Sequence, residues 1–456
     1  MTFASMVDRC PTPVLRGWTA MGVRWSGTTG VSFRPARYSC IPSFLRRSIV
    51  VTSVLCRWMG SLDWPERSGP MLRELFRTGV LVALSTSAGC IGWSGDVLLL
   101  PVAATFPMLW SLAQTRLQAT AVSAAYFLVA SRGLPQGVAN FYSSEIWPGL
   151  LLWLVASSAF VTVHSLLWTA RNGWRKALRY IAACFGMAIP PFGILGWAHP
   201  ITAAGVLFPG CGWWGLGAMA AGLIVMTTRY RPAAAMAMTG LWLWSAAEWT
   251  PLTLPASWKG VDLEMGASLG REAGLKWQQE LIGIAQRHPP GTTVVLPESA
   301  LGFWTPTAAR VWQRALTDTG ITVISGAATI DSQGYDNVLV KISADGNTII
   351  YRERMPVPGT MWQPWRAWVG DSGGARAHFF ANPVVDVGDL SVAPLICYEQ
   401  LLVWPILQSA FHRPDAIVAV GNGWWTAGTS IIAIQRASSE AWARLFDLPL
   451  IISFNT

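Results

Sequence analysis

Leu390-Ser391-Val392-Ala393-Pro394-Leu395-Ile396-Cys397-Tyr398-Glu399 is the stretch from which the fold of this chain is read. It is a short apolar run that closes on a thiol and a carboxylate, the pattern of a buried strand delivering reactive groups at its C-terminal end. Similar β-branched runs at 292–296, 321–325, 337–342, 348–351, 416–420 and 450–454 predict further strands. Residues 270–287, 307–319 and 433–446 carry apolar positions at helical spacing between them. An α/β layered domain over 256–456 follows. The run Val294-Val295-Leu296-Pro297-Glu298 ends a second strand on a carboxylate. A cysteine becomes a nucleophile when a nearby base takes its proton, and a partly desolvated carboxylate at a neighbouring strand end supplies one. Cys397 as nucleophile and Glu298 as base is therefore a sensible pair, although on spacing alone a lone cysteine is more often a small buried hydrophobe.

Outside that domain the composition changes. The chain has 456 residues, 52% of them hydrophobic, 12% charged, and 27 tryptophans. Soluble domains carry roughly 25% charged residues, so the balance argues against an ordinary soluble enzyme. Residues 180–228 hold no Asp, Glu, Lys or Arg at all. Apolar segments over about 76–95, 97–113, 117–133, 146–168, 179–198, 201–226 and 233–250 match the roughly 20 residues that cross a bilayer core, the third and seventh being weakest. Arg116, the cluster Arg171, Arg175, Lys176 and Arg179, and then Arg229 and Arg231 follow the second, fourth and sixth segments. With a cytoplasmic N-terminus these are inside loops, and seven spans leave everything after about Pro255 outside; six or eight spans reverse the side. The expected organisation is a basic, disordered segment over 1–70, a membrane domain of about seven helices over 71–255, and the α/β domain over 256–456. Met59 and Met71 are alternative starts.

The net charge of +9 fits membrane orientation better than nucleic-acid binding, since eight arginines lie in the first 57 residues. Seven cysteines form no CxxC pair and share no metal-ligand spacing with the five histidines, so no metal or cofactor is expected. His288, His378 and His412 read as surface or satisfied residues. Gly370-Asp371-Ser372-Gly373-Gly374 spells the serine motif of trypsin-like proteases without the upstream His and Asp that chemistry needs, and reads as a glycine-rich loop. Trp304, Trp362, Trp365, Trp368, Trp424 and Trp425 suit an acyl-chain entry or the headgroup level, or plain core packing.

Several of these segments together resemble a known superfamily. Glu298 after its strand, Tyr335-Asp336-Asn337, Ile396-Cys397-Tyr398-Glu399, Asn422-Gly423-Trp424-Trp425 and residues 449–455 are similar to the carbon-nitrogen hydrolases, or nitrilase superfamily. With the preceding helices they resemble the apolipoprotein N-acyltransferases, which join a membrane bundle to an extracytoplasmic nitrilase-like domain. The resemblance implies a polytopic α-helical membrane bundle followed by an αββα-layered nitrilase-like domain, with Glu298 and Cys397 catalytic and Glu399, Asn337, Asn422 and Trp425 in support. The superfamily's third catalytic residue is a lysine in a Tyr-x-Lys segment. Here the segment reads Tyr351-Arg352-Glu353-Arg354, so Glu353 takes the lysine position. A glutamate cannot hold an oxyanion by charge, while Arg352 or Arg354 brings positive charge but hardly gives up a proton. Together with Met355-Pro356-Val357-Pro358 and Met361-Trp362-Gln363-Pro364-Trp365, that departure is similar to the TraB-type conjugal transfer proteins of plasmids. The chain stops at Thr456, where the acyltransferases continue through further strands and a last helix. Two functions are implied. One is a Cys-dependent acyltransferase or amidase of the bacterial inner membrane, its C-terminal domain periplasmic, with membrane lipid as acyl donor and a protein amine or conjugation components as acceptor and partners. The other is a catalytically degenerate membrane scaffold of the conjugation apparatus.

Overall fold

The computed structural model describes residues 69–266, 274–370 and 373–456. Residues 1–68 of the basic N-terminal segment lie outside them, as do Asp371 and Ser372 of the glycine-rich loop. Val80–Thr456 forms one compact unit.

Among the described residues nine strands build two sheets. The first holds β1 (Trp258–Gly260), β2 (Thr293–Val295), β3 (Thr322–Asp331), β4 (Gly334–Ser343) and β5 (Gly346–Arg352) in that order, parallel up to β3 and antiparallel after it. The second holds β6 (Val385–Val387), β7 (Leu390–Ile396), β8 (Ala416–Asn422) and β9 (Leu450–Asn455), with β7, β8 and β9 parallel. The apolar runs are explained by burial on both faces. Val392 and Ile396 of β7, Val418 and Val420 of β8 and Ile451 of β9 meet Val295, Ile324 and Leu339 of the other sheet. The alternate residues Ala393, Leu395, Ile417, Ala419 and Leu450 face outward into a different cluster.

Helices cover both outer faces. On the first sheet lie α10 (Leu275–Ala285) and α11 (Pro306–Leu316), whose Leu281, Ile282, Trp312 and Leu316 pack on Val294, Val323, Val338 and Val340. On the second lie α12 (Val403–Phe411) and α13 (Ile431–Phe446). The result is an αββα sandwich, and α12 was not anticipated from the sequence.

The preceding segment is helical but broken. It comprises α1 (Pro70–Gly92), α2 (Phe106–Leu112), α3 (Arg116–Ala130), α4 (Leu134–Tyr142), α5 (Trp147–Leu167), α6 (Trp174–Ala188), α7 (Ala204–Leu207), α8 (Gly212–Val225) and α9 (Arg231–Ala247). Among the described residues two helices, Met71–Gly92 and Trp147–Leu167, are long and apolar enough to cross a membrane. Of the other five expected spans, 117–133 and 233–250 each hold one helix, of 15 and 17 residues, and 97–113, 179–198 and 201–226 are divided into shorter pieces. Prolines account for several breaks, because proline lacks an N–H and clashes with the preceding turn. Pro101 sits in the 3-10 segment Val97–Thr105, and Pro190-Pro191 follows α6.

Helical and α/β parts share one hydrophobic core. Leu81, Trp110, Tyr126, Phe160 and Met219 cluster with Val403 and Ile406 of α12, Trp442 and Leu445 of α13, and the outward residues of β7 and β8. The contact is close: a Cβ on Gly205 in α7 would lie 1.6 Å from the Ala441 carbonyl oxygen of α13. Only a glycine allows those two backbones to meet.

Candidate active site

Four strand ends converge between the sheets. Cys397 follows β7 directly, Glu298 follows β2, Asn422 closes β8 and Glu353 follows β5. Cys397 has φ +46°, in the left-handed region that costs a non-glycine residue on the order of 1–2 kcal/mol. Such strain persists where surrounding structure imposes it, and it turns the thiol out of the strand direction at a functional position. Glu298 reaches the same place because Gly326 in β3 has no side chain. A Cβ there would sit 2.5 Å from the Glu298 Cα.

Glu298 is buried and fully engaged. Its Oε1 accepts from Asn337 Nδ2 at 2.8 Å and its Oε2 from the Asn422 backbone N–H at 3.0 Å, and the Cys397 thiol is a third partner. Burial pushes its pKa up to about 7, against the three hydrogen bonds. A carboxyl that titrates near neutrality thus lies in contact with the Cys397 thiol. Burial also holds the Cys397 thiol well above its ordinary range, and the Glu298 and Glu353 carboxyls add to this. The resting thiol keeps its proton until attack.

Asn337 does more than support. Its amide also donates to Glu353 Oε2 at 3.0 Å, so one side chain joins two carboxyls. The register sets this up: Val338 pairs with Arg352, and the Glu353 N–H donates to the Asn337 carbonyl at 2.9 Å. Glu353 is completely buried, and burial followed by the Glu298 and Glu399 charges raises its pKa well above the carboxylate range.

The two arginines face elsewhere. Arg352 pairs with Asp336, which also holds Arg376 and His378. Arg354 is wholly buried and donates to the Pro405 and Pro394 carbonyls, Ser409 and the Tyr351 hydroxyl. Its charge stands 3.9 Å from Glu399. Glu399 in turn accepts from the backbone N–H groups of Arg354, Met355 and Ile396, tying the turn after β7 to the segment after β5. Burial raises the Glu399 pKa while Arg354 opposes it. Glu399 and Arg354 therefore hold the two loops in register, and neither brings charge to the sulfur. Asn422 acts through its backbone, its side chain being held by Asn455 Nδ2 at 2.9 Å. Trp425 donates from Nε1 to the Asn422 carbonyl at 3.0 Å. Asn140 of α4 binds the Trp425 and Ala427 carbonyls at 2.9 and 3.0 Å, so a helix of the apolar segment braces the site loop.

One residue escaped sequence reasoning. Gln435 on the inner face of α13 donates to the Cys397 carbonyl at 2.9 Å and lies 3.8 Å from its sulfur. The signal was polar residues at helical spacing, Gln435 with Ser438 and Ser439, on the face of an amphipathic helix that also carries its apolar positions. Beyond the sulfur opens an apolar groove walled by Leu134, Leu152, Ala156, Trp197, Ile431 and Ile434. Among the described residues no group of three or more His, Cys, Asp or Glu is arranged to hold a metal ion.

The carbon-nitrogen hydrolase family model matches residues 128–444. A probable conjugal transfer protein TraB of Sinorhizobium fredii is 62% identical over 388 residues, 85% of this chain and 100% of that protein. The chain belongs to the carbon-nitrogen hydrolase family, in its TraB conjugal transfer branch. A second TraB conjugal transfer protein, from Agrobacterium fabrum, is 56% identical over 89% of this chain and 98% of its own length. Among solved structures, an amidase from Nesterenkonia sp. AN1 aligns at 13% identity and a TM-score of 0.30 over 43% of this chain and 76% of its own. A carbon-nitrogen hydrolase superfamily protein from Xanthomonas campestris aligns at 12% and 0.28, over 43% and 74%. In this chain the carbon-nitrogen hydrolase layers come with a helical segment that shares their core.

Proposed function

We propose that this chain serves conjugal transfer as an inner-membrane protein whose Cys397 accepts an acyl group from a membrane lipid and passes it to a protein amine. The observation that carries the reading is the thiol at the floor of an apolar groove, hydrogen-bonded to a carboxyl that titrates near pH 7. Apolar walls exclude water and suit an acyl chain. Two of them come from α5, whose Leu151, Leu154 and Val155 are exposed as lipid-facing residues would be. Exposed Leu178, Ile181 and Phe185 on α6 and Trp365 and Trp368 beside the α/β layers support the same placement. The C-terminal domain is assigned to the periplasmic side on the arginine distribution.

The reaction is ping-pong. Glu298 takes the Sγ proton as sulfur bonds to the ester carbonyl carbon, and the π electrons move to oxygen. Collapse expels the lipid alkoxide, which recovers the proton from Glu298, and leaves a thioester. An α-amino group, with pKa near 8, then attacks the thioester carbonyl as Glu298 takes its proton, and collapse to the amide expels the sulfur, which recovers that proton from Glu298 as the thiol. Mass spectrometry of the protein purified in native lipid tests this: an acyl adduct on Cys397, absent in Cys397→Ala and Glu298→Gln, is expected. No adduct, with unchanged conjugation frequency in a Cys397→Ala strain, sinks it. A scaffold role is the second reading, favoured by one observation: Arg352 and Arg354 are both engaged away from the sulfur, where the superfamily has a lysine.

A further inference from the structure

Glu353 occupies the lysine position with an unusual set of contacts. Oε2 accepts from Asn337, and Oε1 is buried with no hydrogen-bond partner among the described residues. The groups around it are Glu298 after β2, Cys397 and Glu399 after β7, and Tyr351, Arg352 and Arg354 on its own segment. Asp336 on β4 takes Arg352 and His378, and the His378 N–H meets only the Glu353 carbonyl. Two buried carboxylates sharing one amide cannot both ionise without large repulsion. Glu298 accepts from Asn337, Asn422 and the thiol, whereas Glu353 accepts from Asn337 alone, so the proton resides on Glu353. A neutral carboxyl carries one O–H donor. With Oε2 accepting, that donor is the unpartnered Oε1.

We propose that protonated Glu353 replaces the lysine as the hydrogen-bond donor to the oxyanion that forms when Cys397 attacks a carbonyl. This rests on the acyl-transfer reading above. No proton leaves Glu353: the thiol proton goes to Glu298, the carbonyl π pair moves to oxygen, and the Glu353 O–H binds that oxygen until collapse returns the pair and expels the leaving group. A site with a spare buried donor and no cation is set up for a neutral donor. Such a donor works only while it keeps its proton, a limit that lysine does not impose at the same pH.

Two probes separate this role from general damage. p-Nitrophenyl octanoate acylates Cys397 through an oxyanion, while iodoacetamide alkylates it by direct displacement without one. Both are followed by intact-protein mass in detergent-solubilised full chain. Glu353→Leu is expected to slow acylation about 100-fold, the scale of one lost oxyanion donor, with alkylation changed less than about threefold. Glu353→Gln keeps a weaker N–H donor, loses about tenfold, and abolishes the alkaline fall in acylation that wild type shows as Glu353 ionises. Equal acylation of wild type and Glu353→Leu, equal slowing of both reactions, or an alkaline fall that persists in Glu353→Gln overturns the role of Glu353 alone. Normal alkylation with no acylation of wild type overturns the acyl-transfer reading and this proposal with it.

Discussion

Replacing Glu298 by glutamine makes a stability prediction with a definite sign. In the folded chain the Glu298 pKa stands at about 7, against 4.5 for an unperturbed glutamate. The folded state therefore holds the proton more tightly than the unfolded state does. Its contribution is fully present below about pH 4.5 and is lost as pH rises through about 7, where the buried group must ionise. A shift of that size corresponds to on the order of 3 kcal/mol above pH 7. Glutamine never ionises, and it turns its NH2 toward one of the three donors that Glu298 meets, much as the protonated acid turns its O–H. Wild type and Glu298→Gln should then be about equally stable at pH 5. At pH 8 the variant should be the more stable by up to about 3 kcal/mol, or about 3–4 °C in Tm for a chain of this size. Removing Glu298 also removes a charge that holds Glu353 neutral, and the measured gap includes that coupling. Unfolding followed by tryptophan fluorescence in micelles, at both pH values, reads the difference. Equal melting at pH 8, or a larger gap at pH 5, refutes the reasoning.

Three further outcomes are expected. Asn337→Leu strips one hydrogen bond from each of two buried carboxyls and should cost about 3 kcal/mol, with Cys397 alkylation slowed at least tenfold near pH 7; denaturant unfolding and labelling rates check both. Arg354→Met leaves Glu399 buried and unpaired, a loss of about 3–5 kcal/mol, and a double variant with Glu399→Gln should lose less than the two singles together. Glu353→Lys places a cation beside Glu298 and should lower its pKa by one unit or more, so that Cys397 alkylation rises at correspondingly lower pH. An unchanged alkylation profile would show that residue 353 does not face the base.

What could be read from the sequence depended on the range of the interaction. Residues 390–396 coincide with β7 because a strand buried on both faces is a local pattern of apolar residues, and Cys397 and Glu298 were legible because they end such runs. β1 and β6 have three residues each, too few to show any period, and owe their existence to neighbours. Composition located the apolar segments but was blind to where helices stop, so among the described residues the seven expected spans become two full-length helices, two shorter unbroken ones and three broken stretches. Asn337 was visible as a supporting residue, but its bond to two carboxyls requires the β4–β5 register. Arg354 could not be assigned a direction without α12, whose Pro405 carbonyl and Ser409 it binds.

The core shared by the apolar helices and α12–α13 has a practical and an evolutionary side. A fragment beginning after Pro255 would present Trp442, Leu445 and Ile406 to water, while Gln435, which touches the nucleophile, would sit on a helix stripped of its outer support. Expression of the α/β layers alone should give aggregates rather than a soluble hydrolase. The same dependence bears on inheritance: a recombinant that separated the two halves would leave each with an uncovered face, so a change that divides them is disfavoured.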